Sequence, residues 1–295
     1  MPPLGTVLDS IRLKKINVET EYRHNVLRAL YKYTKHDTII YIANFNSPGG
    51  NQIGDQDINM LMNALHGLKG DKLDLIIHSP GGLAEAAAQI VNYLRCKYKY
   101  IRAIIPHKAM SAATMLACGC DEIVMGKHSA IGPIDPQIYM PNSGRIISAQ
   151  SILDEFDAAK QEVLNNPNSA VFWSARISNY PIGFYNECIS IIEYSKKQVR
   201  EWLETRMLKD NPEGASNVAD YLGNAKNHKS HGNPICINNP GIKDLKITTL
   251  ESDQKLQDLV LTIFHVCDVA FNLNQKITKI IENQHGKGMT ITIQS

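Results

Sequence analysis

The sequence has no run of about 18 consecutive apolar residues, so no transmembrane helix is expected. Its start, MPPLGTVLDSIRLKK, lacks the order of basic end, apolar stretch and small-residue cleavage site that marks a secretory signal. A charge excess is missing too. Lys and Arg total 31 against 29 Asp and Glu, a formal +2, and the basic residues are scattered rather than striped. That argues against nucleic acid as a partner. The six cysteines (Cys96, Cys118, Cys120, Cys188, Cys236, Cys267) have no disulfide-framework spacing and are expected as reduced thiols in a cytoplasmic protein. Cys118 and Cys120 have no matching Cys/His pair nearby, so no metal is expected.

What remains is the composition of a globular chain, 43% apolar and 20% charged over 295 residues. Residues 18–35 read as an amphipathic helix, and 37–45 as a strand from its β-branched and aromatic content. A Gly-rich turn and a helix carrying Ile58, Leu61, Met62 and Leu65 on one face follow. LDLIIHSPGG is a second strand entering a tight turn, and LAEAAAQIVNYLRCKY is its helix. YIRAIIP is a third strand, SAATMLACGC a short helix and DEIVM a fourth strand. Strand, turn and helix in alternation predict a layered α/β unit with parallel strands, its turns gathered at one sheet edge.

Beyond Gln137 the character changes. MPNSGRIISAQ reads as a loop, 149–165 and 184–209 as helices, and 223–241 as a Gly/Asn/Pro-rich loop. IKDLKITTLES reads as a short strand and turn, 253–284 as one long helix, and GMTITIQS as a strand. The domain division expected is a helical segment over 1–36, the main domain over 37–250, and a C-terminal helix with a short strand over 251–295.

Two segments carry chemistry. In HSPGGLAEAA a glycine pair after an apolar strand turns the backbone with no side chain over it. Its N–H groups can face an oxyanion or a phosphate, although a plain tight turn has the same sequence. In HKAMSAATMLA, Ser111 opens a helix of small residues. A serine there is an ordinary N-cap, or a nucleophile with the Ala112 N–H beside it as an oxyanion donor.

HSPGG followed by MSAATMLACGCDEIVMGKHSAIGPIDPQ resembles the serine dehydrogenase proteinase family, within the Clp-type clan of serine proteases related to signal peptide peptidase A. The resemblance is close over about 38–140 and loose over about 185–250. It implies a Clp/crotonase-type fold of stacked ββα units, here with a C-terminal helical extension. It also implies hydrolysis of a peptide or protein substrate through a serine acyl-enzyme, with no metal or cofactor. Ser111 would be the nucleophile, with Gly81 or Gly82 and Ala112 as oxyanion donors. Clp subunits place a histidine where this chain has Asp135. A membrane-bound branch places a lysine where this chain has Ser151-Ile152. The family's triad order of Ser, Asp, His puts Asp135 second and, in HGNPI, His231 third.

A serine needs a base. Histidine, with an ordinary pKa of about 6.5, suits neutral pH, while a lysine must be desolvated to serve. Lys127 and His128, within the same motif, are the rival bases and would make a Ser-Lys dyad or a different Ser-His pairing. Asp135 alone could be a turn residue, and His231 a solvated loop histidine. His78 could face the cleft or cap its strand. His228 and His231 could share a metal only if helical, and their Gly-Asn-Pro surroundings oppose that.

Two functions of other classes compete with a peptidase: a crotonase-like acyl-CoA enzyme, which shares the oxyanion geometry, and a catalytically inactive scaffold. A homo-oligomer is expected, partly from the apolar stripe Leu256, Leu259, Val260, Ile263, Val266 and Cys267, which packs either on a partner or on its own domain.

Overall fold

The computed structural model describes residues 4–7, 9, 21–140 and 144–293. Its centre is a seven-stranded sheet in the order β11-β10-β1-β2-β3-β5-β9. The strands are β1 (Asp37–Ala43), β2 (Lys72–His78), β3 (Tyr100–Ile105), β5 (Glu122–Met125), β9 (Ile247–Thr249), β10 (Ile277–Asn283) and β11 (Gly288–Thr292). β4 (Lys108–Ala109) and β6 (Ala130–Ile131) form a small parallel pair, and β7 (Gln137–Met140) and β8 (Arg145–Ser148) an antiparallel hairpin. β1, β2, β3, β5 and β9 run parallel, whereas β10 lies antiparallel between β1 and β11.

Alternation along the strands divides the core into two layers, because successive side chains point to opposite sheet faces. Ile39, Tyr41, Leu73, Leu75, Ile77, Ala103 and Met125 belong to one apolar cluster, and Ile40, Ile42, Ile76, Ile104 and Val124 to the other. The first face is covered by α2 (Asp57–Leu65), α3 (Ala84–Lys97), α4 (Ala112–Cys118), the second half of α7 (Phe184–Thr205) and α8 (Pro212–Gly223). The second is covered by α1 (Arg23–Thr34) and α10 (Gln254–Leu273). α5 (Ala149–Asn165) packs with the β7–β8 hairpin and the first half of α7 around Ala149, Ile152, Phe184 and Cys188. α6 (Ala170–Ile177) and the single turn α9 (Ala225–His228) complete the helices used below.

The sequence reading departs from this structure in a few places. The helix expected over 253–284 ends at Leu273, and 277–283 is a fully buried strand. Ile277, Ile280 and Ile281 continue the helix-like spacing of Ala270 and Leu273, which conceals the break at Asn274. Within residues 251–293, where the sequence predicts a helix and a short strand, the structure has α10 and two strands of the central sheet. MPNSGRIISAQ, expected as a loop, contains β8, and α6 and α8 lie where the sequence predicts no helix.

The stripe on α10 lies against its own domain: Val260, Ile263, Val266 and Cys267 are fully buried. It therefore lends no support to a partner chain. By length and composition α10 is apolar enough to cross a membrane, although it lacks an unbroken apolar run; 56% of that stretch is buried inside the structure.

Candidate active site

β3 leads through Pro106 and β4 to Ser111, the residue before α4. Ser111 has φ 53° and ψ −120° and makes no side-chain capping bond. The capping explanation thus fails on geometry. The backbone is in a region that non-glycine residues avoid, at a cost of about 1–3 kcal/mol. The surroundings enforce it. Met110 N–H donates to the Ser79 carbonyl at 3.0 Å, Ser79 N–H to the Lys108 carbonyl at 3.0 Å, and Met115 N–H to the Ser111 carbonyl at 3.1 Å. All seven residues of α4 are buried, so the helix cannot shift to relax its first turn. Among the described residues the Ser111 hydroxyl has no hydrogen-bond partner.

The glycine turn presses on this serine. A Cβ at Gly81 (φ +100°) would stand 2.6 Å from the Met110 carbonyl oxygen and 2.7 Å from Ser111 Cβ. The Gly81 N–H is occupied, donating to Ser79 Oγ at 3.1 Å. Gly82 is held from outside by Ile53: Ile53 N–H donates to the Gly81 carbonyl at 2.7 Å, and Leu83 N–H to the Ile53 carbonyl at 2.9 Å. The Gly82 and Ala112 N–H groups have no partner among the described residues. Of the two glycines offered by the sequence, Gly82 therefore has the available donor. A Cβ at Gly82 (φ +152°) would come within 2.2 Å of the Ile53 oxygen. Gly82→Ala is expected to break the Ile53 bridge and turn this donor away. The expected fall in turnover is roughly 10²–10³-fold, the size of losing one oxyanion donor. Steady-state kinetics with a melting curve checks it; an unchanged turnover number would show that the donor is not used.

Asp135 and His231 are 96 positions apart and in contact. Ile131 and Ile235 form an antiparallel bridge, with hydrogen bonds of 3.1 and 2.9 Å. Four residues after Ile131 and four before Ile235, the same register puts Asp135 opposite His231. His231 Nδ1 lies 2.8 Å from Asp135 Oδ1, and Gln137 Nε2 donates to Asp135 Oδ2 at 2.7 Å. Asp135 is buried and His231 partly open. His231 Nε2 carries no bond among the described residues. Ser111 and His231 line two adjoining cavities that share Gln137, the first with Met115, Ile134 and Tyr194, the second with Lys226 and Lys229. No hydrogen bond joins Ser111 to His231; unliganded sites often hold such pairs apart.

The rival bases lie elsewhere. Lys127 N–H donates to Glu251 Oε1 and its side chain is exposed; His128 Nε2 is 2.9 Å from the Pro106 carbonyl. Neither lines the cavity beside Ser111. His78 faces α10 on the other side of the sheet. His228 is buried with Nε2 2.7 Å from the Tyr221 carbonyl. Burial raises the Cys118 thiol to about 12 and the Cys120 thiol further.

One support was not read from the sequence. Lys279 of β10 reaches Asp57 at 2.7 and 2.9 Å and the Gln52 carbonyl at 2.7 Å, and Tyr41 OH also donates to Asp57. Asp57 accepts the Gly54 N–H at 3.1 Å, which fixes the loop carrying Ile53. A charge pair on β-strand and helix residues far apart in sequence leaves no local signal. Lys279→Met leaves Asp57 buried without its cation. A loss of about 3–5 kcal/mol is expected by denaturant unfolding; less than about 1 kcal/mol would mean that water or Tyr41 satisfies the carboxylate.

Residues 51–167, two fifths of the chain, match the family described as ClpP-like SDH-type serine proteinase. Ser111 and Asp135 lie inside the match and His231 outside it. Two uncharacterized proteins of Methanocaldococcus jannaschii are similar: MJ0137, 38% identical over 37% of this chain, and MJ1495, 46% identical over 26%. The chain spans 38% and 26% of these relatives' lengths. Among solved structures, two of the 1510-N membrane-bound stomatin-specific protease are similar. A serine-to-alanine mutant has TM-score 0.29 and 23% identity, covering 36% of this chain and 55% of that one. A lysine-to-alanine mutant with a substrate peptide has TM-score 0.31 and 17% identity, covering 72% and 93%.

Proposed function

We propose that this chain, whose residues 51–167 match the ClpP-like SDH-type serine proteinases, is a serine peptidase that cleaves peptide bonds through an acyl-enzyme on Ser111. The observation that carries the reading is the forced backbone of Ser111, whose hydroxyl is free beside the free N–H groups of Gly82 and Ala112. In this reading Ser111 Oγ attacks the substrate carbonyl and His231 Nε2 takes the proton. Asp135 accepts from Nδ1, sets the tautomer and stabilises the imidazolium. The Gly82 and Ala112 N–H groups receive the negative oxygen of the tetrahedral intermediate, and His231 then protonates the leaving amine. Water repeats the sequence to release the acid and restore Ser111. Gln137 occupies the second oxygen of Asp135, which helps hold the carboxylate in line.

A lysine base is the second reading, supported by Lys226 and Lys229 in the cavity with His231; Lys226 is engaged by Asp154 at 3.0 Å. A crotonase-like acyl-CoA enzyme would use the same oxyanion donors without a nucleophilic serine. Fluorophosphonate labelling, with the labelled peptide sequenced, tests the proposal: modification at Ser111 supports it, and an unlabelled Ser111 in a folded chain would turn the assignment toward acyl-CoA chemistry or an inactive scaffold.

A further inference from the structure

A separate cavity of about 260 Å³ opens on the second face, at the carboxyl ends of β1 and β2 and just beyond β3, where α10 crosses them. Open α/β sheets commonly bind ligands at this edge. His78, the last residue of β2, lines the cavity and is 6% exposed. Its ring stacks on Phe45 at 4.5 Å and on His107 at 5.5 Å, and Phe264 meets it edge-on at 4.9 Å. His78 Nδ1 is engaged by the Lys108 backbone, 3.1 Å from its carbonyl oxygen and 3.2 Å from its N–H. Nε2 has no partner among the described residues and is left for whatever fills the cavity. Burial first, then His107, holds the His78 pKa down to about 3, so the ring stays neutral.

The rest of the lining has two characters. Phe45, Phe264 and Phe271 supply aromatic walls, while Lys108 and Asp268 supply one charge of each sign. Neither charge has an ion-pair partner among the described residues. The volume is below the ~300–1,000 Å³ of drug-sized sites, which limits an occupant to about one ring system and a head group. We propose that the cavity binds a small zwitterion with an aromatic side chain, a free aromatic amino acid. The ring packs among the phenylalanines beside His78, the carboxylate pairs with Lys108, and the ammonium pairs with Asp268. The site is distinct from the cleft of Ser111, although His78 leads directly into Ser79–Gly82 and Lys108 into Ser111.

Calorimetric titration of the full chain with L-phenylalanine and L-tryptophan tests this, beside 3-phenylpropionate, which lacks the ammonium, and phenethylamine, which lacks the carboxylate. Saturable binding of an amino acid is expected, with each analogue weaker by about tenfold or more. Asp268→Asn and Lys108→Met should each weaken it to a similar degree, and Ser111→Ala should leave it unchanged. Both side chains are partly exposed, so neither variant is expected to unfold the chain. No saturable binding up to about 10 mM, equal binding of the analogues, or full affinity in Asp268→Asn would overturn the proposal. Loss of binding in Ser111→Ala would move the ligand to the other cleft and overturn it as well.

Discussion

Ser111→Ala is expected to fold as the parent chain does and to lose peptidase turnover by roughly 10⁴- to 10⁶-fold. The two halves of this expectation come from the same observation. A serine that capped α4 would cost about 1 kcal/mol when replaced. The Ser111 side chain makes no capping bond, and alanine has the same steric limits at φ 53°, so the melting temperature should stay nearly constant. Meanwhile the group that forms the acyl bond in the proposed mechanism is gone. Peptide hydrolysis measured with a melting curve checks both. Parent-level turnover in the variant would remove Ser111 from the reaction. A clearly lowered melting temperature would restore the capping role.

The second large effect concerns the base. His231→Ala should be about as inactive as Ser111→Ala, because a triad acts as a unit. Asp135→Asn should lose about 10⁴-fold through the wrong tautomer of His231. Lys127→Ala should keep most of its rate, since Lys127 N–H holds Glu251 through the backbone and its side chain does not line the Ser111 cavity. Turnover numbers of the three variants, with Lys229→Ala beside them, separate the alternatives. An active His231→Ala with a dead lysine variant would replace the triad with a Ser-Lys dyad. The comparison is informative because His231 lies outside the matched segment, so that its role here rests on the 2.8 Å contact with Asp135 and on its register.

The sheet's repeating part was legible because its signals are local. β-branched runs, Gly-rich turns and Ala-rich helices over 37–125 each report on their own backbone, and the alternation fixes which side chains share a face. Ser111 and the glycine turn were legible for the same reason. Three features were decided only by tertiary structure. The strand at 277–283 has an apolar spacing that fits helix or strand, and only its place between β1 and β11 chooses. The available donor at Gly82 rather than Gly81 follows from bonds made by Ser79 and Ile53. The meeting of Asp135 with His231 depends on the Ile131–Ile235 bridge, a long-range register in which neither loop's own composition reveals its partner.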